Sequence, residues 1–100
     1  MTDLEISEKL ALAIGWNRKV VTSHNTNAVW VYTGSCWMLF DYRTWSIIGP
    51  IAQRYSAFPS DCHGDGSWWI AGCGRIGKDV GQGASTPQKA IAMAVIEGTK

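Results

Sequence analysis

Apolar residues recur at helical spacing near both ends of the chain and run almost unbroken through its middle. In residues 2–14, Ile6, Leu10 and Ile14 repeat every four positions with Ala13 beside them, the stripe of an amphipathic helix. Thr2 with Glu5 three positions on matches a capping box, and Asp3 adds an acid near the positive helix end. Gly15 suits the left-handed position that ends such a helix. At the other end, Ser85 and Thr86 offer an N-cap and Pro87 fits the first helical position. Ala90, Ile91, Ala94 and Val95 then form a second stripe, closed by Gly98.

The middle reads as strands. Residues 27–42, "NAVWVYTGSCWMLFDY", hold β-formers on both sides of Thr33-Gly34-Ser35, which supplies turn chemistry. Neither strand alternates apolar with polar, a pattern that predicts burial on both faces beneath helices above and below the sheet. In 44–55, Pro50 would clash inside a helix, so a helix starting at Pro50 after Gly49 is expected. Residues 56–66 are turn material, and 67–73, "SWWIAGC", form a third strand with both tryptophans expected to be buried. The glycine-rich "GRIGKDVGQGAS" that follows is either a short fourth strand or a loop. The expected fold is α+β, a single domain over 1–100 in the order α-β-β-α-β-α. It is a three-layer αβα sandwich with a small, mostly antiparallel sheet of three or four strands and about three helices.

Composition narrows the function classes. Nine Lys and Arg against eight Asp and Glu give a net charge of +1, without the basic excess that phosphate binding usually shows. No apolar run reaches the roughly 18 residues of a membrane span. The acidic, polar start "MTDLEISEKL" does not read as a secretory signal. Cys36, Cys62 and Cys73, odd in number, are expected to be reduced thiols in a cytoplasm. Six tryptophans in one hundred residues supply core volume, stacking platforms or interface anchors, and position must choose among them.

The layout of "LEISEKLALAIGW", "DYRTWSIIGPIAQRY", a tryptophan-bearing strand and "STPQKAIAMAVIEG" resembles small tailed-phage and prophage proteins of the NinX type and the phage ABA-sandwich class. The matching pieces are Asp41, Trp45, Gly49, Pro50 and Ile51, then Thr86, Pro87, Ala90 and Ile91. Over 61–83 nothing matches beyond the tryptophan strand. The resemblance implies a three-layer αβα sandwich of phage or prophage origin, and it implies no activity or catalytic residue.

Candidate chemistry concentrates in "DCHGDGSWWIAGCGRIG", residues 61–77. Gly72, Gly74 and Gly77 spell G-x-G-x-x-G, but a dinucleotide fingerprint needs a helix opening inside it, and more glycine follows. Asp61, Cys62, His63 and Asp65, with Cys73 and a distant Cys36 or His24, have metal-ligand types without zinc-knuckle spacing. A solvated turn is the expected role, with no metal and no cofactor. Cys62, His63 and Asp65 also contain the types of a nucleophilic triad, though adjacency is not triad geometry, and no catalytic residue is assigned.

A non-enzymatic, phage-type accessory protein is the resulting expectation. It would sit in the host cytoplasm and bind a host or phage protein, for example to blunt a defence system such as CRISPR. The expected binding residues flank the tryptophan strand, His63 and Asp65 before it and Arg75 and Lys78 after it. The chain would be a monomer or small homo-oligomer without membrane contact. The alternative is a single-stranded nucleic-acid-binding protein of phage replication or recombination, using Trp68 or Trp69 as a platform with Arg75 and Lys78.

Overall fold

The first helix forms where its cap and stripe place it. The computed structural model describes residues 2–17, 21–22, 28–73 and 78–99. Helix α1 spans Asp3–Ala13, with the Thr2 hydroxyl accepting from the Glu5 N–H at 3.2 Å. Gly15 follows at φ +110°, the left-handed turn-off for which a Cβ would be a penalty. Ile6, Ser7, Leu10 and Ala11 are the buried residues of α1.

Two strands, β2 (Val29–Tyr32) and β3 (Trp37–Phe40), pair antiparallel as expected, with Trp30 opposite Leu39 and Tyr32 opposite Trp37. Gly34 at φ +99° gives the positive-φ first turn position that suits the twist of a two-residue hairpin. The short β1 (Val21–Thr22) joins the far side of β2, making a first sheet in the order β1-β2-β3.

Helix α2 spans Trp45–Tyr55, so Pro50 lies inside it and does not begin it. The proline forfeits the bond to the Ser46 carbonyl, but both residues are exposed and water can take its place. Gly49, lacking a Cβ, removes much of the clash that disfavours helical backbone before proline.

The second sheet, order β4-β5-β6, comprises Pro59–Asp61, Trp69–Cys73 and Lys78–Ala84, all antiparallel. Part of the expected turn region is therefore strand β4. The glycine-rich segment supplies a seven-residue strand, because pairing with β5 organises a stretch of low intrinsic propensity.

Helix α3 (Pro87–Gly98) begins at an N-cap Thr86 that accepts from the Lys89 N–H, with Pro87 in the first position. It is buried almost all round, packs across all three strands of the second sheet, and touches both other helices. Helix α1 in turn packs against β1 and β2. Ile6, Leu10, Val29, Val31, Phe40, Ile48, Ile91 and Val95 meet in one core.

The α+β class, the antiparallel pairing and three helices are thus present among the described residues. The strands, however, divide between two sheets of three and do not form one sheet with both faces covered. In the first sheet Val29, Val31 and Phe40 face the core, while Tyr32, Trp37 and Leu39 are exposed. Strand alternation explains this directly: apolar character on both faces does not supply a second helix layer.

Candidate functional site

Four apolar side chains stand together on the outer face of the first sheet. Register makes Trp30 and Leu39 cross-strand neighbours, and Tyr32 and Trp37 likewise. Tyr32 is 37% exposed, Trp37 50% and Leu39 42%, with Trp30 half-buried beside Leu39. The Tyr32 and Trp37 rings lie 5.2 Å apart at a tilt of 56°, a favourable aromatic geometry. Residues 28–40 carry no charged side chain, so the patch is apolar from end to end. The turn below it is firm: the Thr33 N–H and hydroxyl both donate to the Cys36 carbonyl, at 2.9 and 3.0 Å.

The residues expected from the sequence to bind lie elsewhere. His63 and Asp65 are exposed in the loop between β4 and β5. Lys78 opens β6 opposite Cys73, at the other end of β5. Arg75 lies outside the described residues, as do Gly74 and Gly77 of the G-x-G-x-x-G and the distant candidate ligand His24. The structure therefore places His63 with Asp65 at one end of the second sheet and Lys78 at the opposite end, about 13 Å along a strand that rises ~3.3 Å per residue.

The 61–66 loop uses its own acids. The Asp61 carboxylate accepts from the N–H groups of His63 (3.2 Å), Gly64 (3.0 Å) and Gly66 (2.7 Å). Gly64 and Gly66 both take positive φ to bring those amides round. Asp65 accepts from the Ser67 N–H at 2.9 Å, and its bonding to Ser67 holds its carboxyl below the ordinary aspartate range. Among the described residues no group of three His, Cys, Asp or Glu gathers as metal ligands would.

Trp68 corrects a second expectation. It is 43% exposed on the outer face, with Ile70 beside it, and only Trp69 turns inward, donating from Nε1 to the Gly66 carbonyl at 3.2 Å.

A polar knot joins α1, the link between β3 and α2, and α3. The Tyr42 N–H donates to the buried Ser7 hydroxyl at 3.1 Å, and the Tyr42 hydroxyl donates to Asp3 at 2.5 Å. Burial, then the Asp3 bond and charge, push the Tyr42 phenol well above its usual range. Arg43 forks onto Asp41 at 2.9 and 3.0 Å, reaches Asp3 at 3.4 Å, and holds the Asp41 carboxyl low through that hydrogen bonding. Gln88 of α3 donates to the Arg43 carbonyl at 3.3 Å. Open cavities of about 280 and 300 Å³ flank the Asp3–Arg43 bridge. Their charged groups are largely committed to one another, which reads as a structural clamp between α1, the β3–α2 link and α3.

Set against protein-family models, curated proteins and solved structures, the chain matches none of them.

The sequence carried a signal for the outer face that loop-based reasoning passed over. Once Gly34-Ser35 is taken as a two-residue turn, positions summing to 69 pair across it. Trp30/Leu39 and Tyr32/Trp37 then share one side, in a stretch without a charge to solvate it.

Proposed function

We propose that this chain is a non-enzymatic binding module that recognises another protein through the outer face of its first sheet. The observation that carries the proposal is the contiguous, uncharged patch of Trp30, Tyr32, Trp37 and Leu39 on a hairpin closed by the Thr33–Cys36 bonds. Exposed apolar patches of this kind mark interaction sites, and Trp and Tyr are the residues that most often dominate binding energy. The resemblance of the residues to phage accessory proteins makes a host or phage protein in the host cytoplasm the partner. Interference with a host factor or defence system is the role. Among the described residues no helix is long and apolar enough to cross a membrane.

The second reading, single-stranded nucleic acid stacked on the same aromatics, has Tyr32 and Trp37 in its favour. It lacks cations in 28–40 to engage phosphate, which usually supplies much of the affinity. Capture from bacterial lysate on the immobilised chain separates the two. A protein retained after nuclease and lost with Trp37→Glu supports the protein-partner reading. Capture that disappears with nuclease overturns it in favour of nucleic acid.

A further inference from the structure

The free edge of the first sheet carries an inference that does not rest on the function proposed above. The turn fixes which backbone groups face that edge. Thr33 donates its N–H to the Cys36 carbonyl, so 33/36 is a hydrogen-bonded pair. In an antiparallel ladder bonded and non-bonded pairs alternate, which makes 32/37 and 30/39 non-bonded and 31/38 bonded. The N–H and C=O groups of Trp37 and Leu39 therefore point away from β2. Among the described residues, β2 is the only strand that pairs with β3.

Other sheet edges in the molecule carry the usual protections against pairing, and β3 does not. Strand β1 is two residues long, β4 begins with Pro59 and ends with Asp61, and β6 includes Lys78 and Asp79 beside a bulge. Strand β3 reads Trp-Met-Leu-Phe, without charge, proline or bulge.

We infer that β3 pairs antiparallel with β3 of a second copy of this chain, about a two-fold axis at Met38. That register sets Trp37 opposite Leu39 of the second copy, twice. These are the residues whose backbone groups are free, so four N–H···O=C bonds form, with Met38 facing its counterpart as the non-bonded pair. Registers centred on Trp37 or Leu39 complete only two such bonds between the strands. A one-residue shift would oppose outward Trp37 to inward Phe40 and mismatch the faces. In the chosen register the outer faces run on into one six-stranded sheet. The uncharged 28–40 segment spares identical copies any like-charge repulsion there. Contact confined to one strand falls well short of the roughly 800 Å² per partner of a stable dimer, so the pairing is weak and concentration-dependent.

Amide hydrogen exchange on the full chain, at low micromolar and near-millimolar concentration, tests this with sedimentation alongside. Exchange at Trp37 and Leu39 slows about tenfold once nine-tenths of the chains are paired, while Met38, already bonded to β2, is little changed. Leu39→Lys keeps the far-ultraviolet dichroism of the fold and remains monomeric. Tyr32→Lys, on the same face but in the central strand, still dimerises. Concentration-independent exchange at Trp37 and Leu39 overturns the inference, and so does a dimer that survives Leu39→Lys but not Tyr32→Lys. The wild-type exchange result decides even if a variant misfolds.

Discussion

The indole of Trp68 lies against Gly83, so close that a Cβ at position 83 would sit 2.6 Å from its Nε1. The indole thus occupies the space above an exposed position of β6 that has no side chain of its own. Gly83→Ala pits two effects against each other. Alanine in a strand gains about 0.5–1 kcal/mol over glycine, and the indole must leave its place. Because Trp68 is already 43% exposed, the ring can swing into solvent. The expected outcome is a clear shift of the Trp68 indole N–H resonance, with stability changed by less than about 1 kcal/mol. A loss above about 3 kcal/mol would mean the ring cannot move.

Tyr42 ties the β3–α2 link to α1 through two different atoms, and they are separable by mutation. Ser7→Ala leaves the buried Tyr42 N–H without its acceptor and is expected to cost about 1–3 kcal/mol in urea unfolding. A cost near zero would show that the backbone readily finds another partner.

The Tyr42 phenol gives the fold an alkaline limit. Its folded pKa is raised above the unfolded value of 10.0, so the folded state holds the proton more tightly. The stability it contributes is complete below pH 10 and falls as pH rises from there toward the folded pKa. Tyr42→Phe should flatten this alkaline decline while losing about 0.5–1.5 kcal/mol at neutral pH from the missing bond to Asp3. Asp41 acts in the opposite sense. Its carboxyl is held below 3.8 by Arg43, so its contribution is present above that pH and is lost in acid. Unfolding midpoints measured across pH check both.

Pro50→Ala restores the N–H that would bond to Ser46 and removes the ring from the interior of α2. Stability should rise, by about 1–3 kcal/mol against the usual penalty for an interior proline. Unchanged stability would show that water already replaces that bond at no cost.

Legibility in the sequence tracks how local the cause was. Helices α1 and α3 were readable because Thr2, Gly15, Thr86 and Pro87 act within a turn of themselves. Helix α2 was readable only in part, since tolerance of Pro50 depends on which way Ser46 faces, a tertiary fact. Strand β4 (Pro-Ser-Asp) and glycine-rich β6 exist through pairing with β5, and their own residues favour turns. The outer face was missed for a related reason. The apolar character of Trp30, Tyr32, Trp37 and Leu39 was visible, but that no helix among the described residues covers them is a tertiary fact. Asp61 and Asp65 stood out as chemistry, and the structure shows them bonded to their own loop.

In the proposed function, recognition uses the outer face of the first sheet and not the loops around β5. Quantitative capture from nuclease-treated bacterial lysate by three immobilised chains addresses it most directly: wild type, Trp37→Glu, and the double variant His63→Ala with Asp65→Ala. The expected result is a protein captured equally by wild type and the loop variant and lost at least tenfold with Trp37→Glu. This equals about 1.4 kcal/mol or more of binding free energy. Capture that survives Trp37→Glu and fails with the loop variant would contradict it and return the binding surface to the second sheet.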